Sequence, residues 1–173
     1  MQSKWINSNL LQVIFEITSF AKINSIPVFV DPKIDNFFSY KHSTVFKPNK
    51  KEASHALGMD LKSTDEINTA GRMLLDKLEC KNVLLTLGGD GMMLFENNGD
   101  VITVPTLARQ VADVSGAGDT VIATLSACIA GGATVKESAI IANFAAGVVV
   151  EKPGIVSITP DEIIESALRN HGK

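Results

Sequence analysis

The run Val83-Leu84-Leu85-Thr86-Leu87, followed at once by Gly88-Gly89, constrains the fold more than any other stretch. A strand with one wet face alternates apolar and polar residues. This one does not, so both of its faces must be covered, as in a parallel sheet layered between helices. The remaining pattern agrees. Residues 9–21 carry Leu10, Leu11, Val13, Ile14, Ile17 and Phe20 at helical spacing. Residues 27–30 and 44–46 read as short strands. Residues 49–57 read as a helix with Asn49 as cap and Gly58 as stop. Ser63-Thr64-Asp65-Glu66 opens a helix to residue 78 as a capping box. Residues 92–95 and 101–104 flank Asn97-Asn98-Gly99-Asp100, a hairpin turn signal. Helices follow from near Gly116, from Lys136 to about residue 150 and from Pro160 to about residue 168, the first two split by Gly131-Gly132. Strands alternating with helices imply an α/β fold, three-layered and Rossmann-like, with a mostly parallel sheet. Ligands of such sheets bind beyond the carboxyl ends of the strands, which predicts Asp31, Asn49, Gly88 and Asp113 on one rim.

Composition narrows the function. The 173 residues suffice for a single domain spanning 1–173, and a net charge of -3 argues against bulk nucleic-acid binding. No stretch approaches the roughly 20 apolar residues of a membrane span. Cys80 and Cys128 are too few and too distant for a disulfide framework. A cytoplasmic protein with reduced cysteines is the expectation. His42, His55 and Lys33 read as surface residues, with Lys33 also a candidate for nucleotide phosphate. There is no G-x-G-x-x-G after an early strand and no G-x-x-x-x-G-K-[ST], which sets aside dinucleotide oxidoreductases and P-loop enzymes.

The chemistry concentrates in Ala112-Asp113-Val114-Ser115-Gly116-Ala117-Gly118-Asp119-Thr120. Residues 121–130 are apolar nearly all round, which predicts a buried helix starting at the glycines. The first turn of that helix has amides with no intrahelical partner and partial positive charge. Small residues at Gly116, Ala117 and Gly118 let an anion approach them, which makes the turn a candidate phosphate cradle. Asp119 in the same turn suits removal of a proton from an attacking hydroxyl. The competing reading is close helix packing with a stabilising N-terminal charge. Asn49 and Glu52 are neighbours on a helical turn, either as a capping box or as an amide and a carboxylate suited to magnesium. Asn143, amid Ala and Ile, is either a core hydrogen bond or a nucleotide contact.

Asp113-Val114-Ser115-Gly116-Ala117-Gly118-Asp119 resembles the D-T-x-G-A-G-D signature of the ribokinase-like (PfkB-type) carbohydrate kinases. Asn49-Lys50-Lys51-Glu52 is similar to that family's N-x-x-E motif. Thr86-Leu87-Gly88-Gly89-Asp90-Gly91 resembles its T-x-G-x-x-G nucleotide loop, and the segment around Asn143 its adenine-side helix. The four occur in the family's order. Val114 stands where the family has Thr. The wording of Val30-Asp31-Pro32-Lys33, Lys47-Pro48-Asn49 and Leu85-Thr86-Leu87-Gly88 is most similar to the heptose-7-phosphate kinase branch of ADP-heptose synthesis.

The resemblance implies a ribokinase-type fold whose N-terminal half and β lid are not visible in this sequence. It implies ATP as co-substrate, Mg²⁺ and a monovalent cation such as K⁺. Asp119 would be the catalytic base and Gly116, Ala117 and Gly118 the anion hole. Asn49, Lys50, Lys51, Glu52, Thr86, Gly88, Gly91 and Asn143 would bind nucleotide. Asn49 and Glu52 would hold Mg²⁺ through water, and Asp113 and Ser115 would border the monovalent cation. The acceptor would be a sugar or sugar phosphate. Another acceptor of the same family, or a non-catalytic nucleotide-binding piece, are the alternatives. An exposed strand edge, inviting a homodimer, is expected where the other half would pair.

Overall fold

A computed structural model describes residues 2–107 and 111–171, with side chains for 9–107 and 111–170. It contains β1 (Phe29–Val30), β2 (Val45–Phe46), β3 (Asn82–Thr86), β4 (Met92–Glu96) and β5 (Val101–Val104). The helices are α1 (Gln2–Ile23), α2 (Lys50–Leu57), α3 (Thr64–Leu78), α4 (Ala117–Ala130), α5 (Val135–Val150) and α6 (Pro160–His171). The strands follow the order β1-β2-β3-β4-β5 along one sheet.

The sheet is mixed. β1 and β2 pair in parallel with Phe29 opposite Val45, and β2 pairs in parallel with β3 through Phe46 and Val83. β3 and β4 form an antiparallel hairpin. Leu87 N–H donates to Gly91 C=O near the turn, and Asn97 N–H to Lys81 C=O at the far end. The hairpin of β4 and β5 closes through Glu96 N–H to Asp100 C=O. The apolar run did predict strand burial: Val83, Leu84 and Leu85 are fully buried.

The chain divides into two compact units. The first comprises Met1–Leu85 with Phe95–Asp100. Its core joins Val45 and Phe46 of β2, Val83 to Leu85 of β3, and Leu74 and Leu78 of α3. α2 and α3 start as the sequence predicts: Asn49 with Glu52 and Ser63 with Glu66 form complete capping boxes. Gly58 stops α2 in the left-handed conformation that only glycine enters without strain. A 3-10 helix at Ile34–Ser39, which the sequence did not announce, packs Phe37 edge-on against Phe46.

The second unit comprises Thr86–Leu94 with Val101–Lys173. α5 is its core helix, with Ala139, Ala142, Ala145 and Val149 buried and both α4 and α6 packed on it. Thr134 and Glu137 give α5 a third capping box. Two expectations fail here. α4 is not buried all round: Val121 and Leu125 alone on it are buried, because α4 packs against α5 along one line while other apolar positions stay half exposed. Cys128 is accordingly half-buried rather than in the core. Asp113 does not follow a strand among the described residues, since β5 ends at Val104.

Candidate functional site

In the second unit the signature segment is held by its own carboxylate. Asp113 Oδ1 accepts from Ser115 N–H at 2.9 Å, and Oδ2 accepts from Gly154 N–H at 3.2 Å. These amide bonds, led by that from Ser115, hold the Asp113 carboxyl below its usual range. Ala112 and Asp113 also donate their amides to Val150 C=O at the end of α5. The loop before α4 is thus tied to the loop after α5.

From that loop the chain enters α4 through Gly116, at φ 78° and ψ -5°. This left-handed step turns the backbone into the helix, and glycine takes it without strain. Among the described residues no side chain caps the helix. Ala117 N–H reaches Val114 C=O at 3.3 Å, and Thr120 N–H reaches Gly116 C=O at 2.9 Å. Among the described residues, the amides of Gly118 and Asp119 have no protein acceptor within hydrogen-bond reach. Asp119 is exposed in the same turn, and Gly116 to Gly118 are half-buried. The turn therefore offers uncapped donors, a helix dipole and a solvent-facing carboxylate together. Val114 and Ile155 form an apolar margin, 69% and 83% exposed, with Ile155 alongside Gly116.

The turn Thr86 to Gly91 belongs to the same unit. Gly88 is exposed at φ 64° and closes a short 3-10 turn by accepting from Gly91 N–H. Gly91 is different. It is buried, and a Cβ on it would lie 2.2 Å from Val104 C=O and 2.6 Å from Thr106 N. Its glycine is required by close approach to the end of β5, a reason independent of any nucleotide. Asn143 is 4% exposed and donates from Nδ2 to Pro105 C=O at 2.7 Å. The core-hydrogen-bond reading of Asn143 is the one this contact supports.

Asn49 and Glu52 lie in the first unit and cap each other: Asn49 Oδ1 accepts from Glu52 N–H at 2.9 Å, and Glu52 Oε2 accepts from Asn49 N–H at 2.8 Å. Lys50 is half-buried and Lys51 exposed. Sequence reasoning missed the neighbouring ion pair. Lys47 at the end of β2 is only 3% exposed, and its Nζ lies 3.0 Å from Asp31 Oδ1 beyond β1. A buried ammonium needs such a partner. The signal was two strand ends each followed by a charged residue and proline-bounded turn, which fixes no pairing until the parallel register is known. His42 also has a partner not legible in sequence, with Nδ1 3.9 Å from Glu79. Among the described residues no three His, Cys, Asp or Glu side chains cluster as a metal cage. No described helix is long and apolar enough to cross a membrane.

Residues 3–162 match the pfkB family carbohydrate kinases, and the chain belongs to that family. Among curated relatives it is 46% identical over 142 residues to the bifunctional protein HldE of a Nitratiruptor species, covering 82% of this chain and 30% of that protein. It is 41% identical over 158 residues to the bifunctional protein HldE of Geobacter sulfurreducens, covering 91% of this chain and 32% of the relative. The chain thus spans about a third of those relatives' length. Among solved structures, Arabidopsis thaliana ribokinase complexed with ribose and ATP superposes at TM-score 0.78 and 25% identity, over 90% of this chain and 52% of that one. Escherichia coli phosphofructokinase-2 shares the fold at TM-score 0.79 and 20% identity, over 91% and 52%.

Proposed function

We propose that this chain is the nucleotide-binding part of an ATP-dependent carbohydrate kinase. The acceptor is a sugar or sugar-phosphate hydroxyl, with heptose 7-phosphate the one its sequence resemblance singles out. The observation that carries this reading is the opening turn of α4, where, among the described residues, the Gly118 and Asp119 amides have no protein acceptor and no side chain caps the helix.

Phosphoryl transfer asks little covalent chemistry of a protein and much positioning and charge neutralisation. The turn Gly116 to Gly118 would receive the γ-phosphoryl group, through the amides of Gly118 and Asp119, as negative charge spreads over its oxygens, while the Ala117 amide is held by Val114 C=O. Asp119 would orient the acceptor hydroxyl and take its proton as the new O–P bond forms and the bond to the β-phosphate bridge breaks, leaving ADP. Val114 and Ile155 would limit water at the margin of the turn. Thr86 and Gly88, on the exposed turn after β3, would meet the nucleotide.

Magnesium, when bound, offsets phosphate charge. In the Asn49–Glu52 turn, Glu52 Oε1 lies outside the capping box and would hold it, through water as the resemblance implies. The Asp113 carboxylate staples the loop by accepting one amide on each oxygen, which leaves each oxygen a lone pair that could border a monovalent cation together with Ser115.

The test is Mg·ATP titration and transfer from labelled ATP to a panel of heptose 7-phosphate, ribose and fructose 6-phosphate. The chain alone should bind ATP weakly and transfer slowly. Asp119→Asn should lower the residual rate by about 10²- to 10⁴-fold and leave nucleotide affinity unchanged. Equal loss of affinity and rate would make Asp119 a structural residue, and absence of any nucleotide binding would sink the reading.

A further inference from the structure

Residues 151–159 join α5 to α6, and one carboxylate holds both ends of that loop. Glu162 sits in the first turn of α6. Its Oε2 accepts from Thr159 N–H at 2.9 Å, and Glu162 N–H reaches Thr159 Oγ1 at 3.4 Å, which closes the start of α6 as a capping box. Its Oε1 accepts from Lys152 Nζ, just past the end of α5. Lys152 N–H in turn donates to Val149 C=O. The pair is half-buried, at 35% exposure for each side chain, against 51% and 53% for Lys41–Glu79 and 81% and 69% for Lys62–Asp60. Exposed ion pairs hold a geometry weakly, and shielding from water strengthens the attraction. The Glu162 carboxyl is held below its usual range, first by Lys152 and then by Thr159 N–H.

The importance of the pair lies in what the loop carries. Among the described residues, Ile155, Val156 and Ser157 make no hydrogen bond, so the course of the loop is set by its two ends and by Gly154. Gly154 N–H donates to Asp113 Oδ2, and Asp113 Oδ1 accepts from Ser115 N–H, one residue before the left-handed step at Gly116 that opens α4. Ile155 lies alongside Gly116. A continuous run of contacts therefore leads from Lys152 and Glu162, through Gly154 and Asp113, to the turn that bears the Gly118 and Asp119 amides. All of it lies within the second unit.

We propose that Lys152 and Glu162 are positioning residues for the phosphate-receiving turn of α4. Their ion pair sets the 151–159 loop so that Gly154 meets Asp113, and the stapled signature segment keeps the Gly118 and Asp119 amides open to a phosphate. Both residues act through the loop. The proposal deepens the kinase reading of that turn and rests on it for the ligand, while the coupling itself is readable in the free protein.

Two substitutions separate the ion pair from the helix cap. Glu162→Gln removes the charge that Lys152 pairs with and keeps a side chain able to complete the capping box. Lys152→Met removes the ammonium and keeps an unbranched chain. Amide proton–nitrogen spectra of the labelled chain are recorded free and with Mg²⁺ and a non-hydrolysable ATP analogue. Each variant should move the Gly154, Ser115, Gly118 and Asp119 amides in the free protein. Each should weaken the analogue by about 2- to 30-fold, the range for coupling carried through a contact network. The double variant should bind no worse than either single one, because the two side chains act as a unit. Lys152→Arg keeps the charge and should restore both readouts. Lys41→Met breaks an ion pair of the first unit and should change neither. Unmoved α4 amides with parental affinity in Lys152→Met and Glu162→Gln would overturn the proposal. So would a lowered melting temperature with affinity intact, which would make the pair a brace of the fold alone, or failure of Lys152→Arg to restore binding. An unaltered chain that binds no nucleotide would instead sink the kinase reading, and the free-protein spectra would still decide the coupling.

Discussion

Gly91→Ala is a sharp test of how the turn after β3 is built. Gly91 sits at φ 88° and ψ -130°, a region essentially reserved for glycine, and forcing a side chain there costs about 1–3 kcal/mol. Space adds to strain. The new Cβ would lie 2.2 Å from Val104 C=O, 2.6 Å from Thr106 N and 2.8 Å from Pro105 C, all backbone atoms. Backbone cannot swing away as a side chain can, so the end of β5 must shift, adding about 1–3 kcal/mol by analogy with overpacking. The sum of about 2–6 kcal/mol is a large part of a typical stability of about 5–15 kcal/mol. At about 2–4 °C per kcal/mol for a chain of this size, the midpoint should fall by roughly 4–24 °C. The assay is thermal and urea unfolding followed by circular dichroism, with Gly89→Ala as control. Gly89 has open space around a Cβ and no positive φ, so its substitution should stay within about 0.5 kcal/mol. If Gly91→Ala unfolds like the parent, or if both variants lose equal stability, the packing explanation of this glycine is wrong.

Other outcomes follow from single contacts. Asn143→Ala removes the 2.7 Å bond to Pro105 C=O in a buried setting, and should cost about 1–3 kcal/mol in urea unfolding while sparing ATP affinity. Asp31→Ala strands the 3% exposed Lys47 and should cost about 3–5 kcal/mol, read as a lowered melting temperature. The carboxyls of Glu66, Glu137 and Asp113 are held below their usual values, Glu66 first by Ser63 N–H, Glu137 first by the Thr134 hydroxyl and Asp113 first by Ser115 N–H. Lowered folded values mean stability present above the unfolded carboxyl range and lost as pH falls through the folded values. Unfolding free energy should therefore be flat from pH 7 to about 5 and drop below about 4, less steeply in Glu137→Gln. Burial pushes the Cys80 thiol up to about 12. It should resist alkylation in the native protein at pH 8 and react after denaturation, whereas native reactivity would contradict its burial.

The elements were legible because their signals are local. Val83 to Leu85 announce a strand covered on both faces. Asn49 with Glu52 and Ser63 with Glu66 announce helix starts, and Gly58 a stop. What sequence could not supply depends on tertiary register. The pairing of Lys47 with Asp31 exists because β1 and β2 lie in parallel, and no spacing rule predicts it. α4 reads as buried from composition, yet only Val121 and Leu125 are buried, since apolar residues report a tendency and not which neighbour arrives. The 3-10 helix at Ile34–Ser39 has no amphipathic period to betray it. At the candidate site, family wording led to Gly116, Gly118 and Asp119, where uncapped donors are found. The same wording gave Gly91 and Asn143 ligand roles, whereas the contacts they make are internal.

The central claim is that the first turn of α4 receives the terminal phosphate of a nucleotide. Amide proton–nitrogen NMR of the isotope-labelled chain, titrated with Mg²⁺ and a non-hydrolysable ATP analogue, addresses it directly. The account predicts that the largest shifts fall on Gly116, Gly118 and Asp119, that they diminish with AMP, and that they persist in Asp119→Asn. Saturable nucleotide binding that leaves those amides unmoved, with the shifts gathered elsewhere, would contradict it.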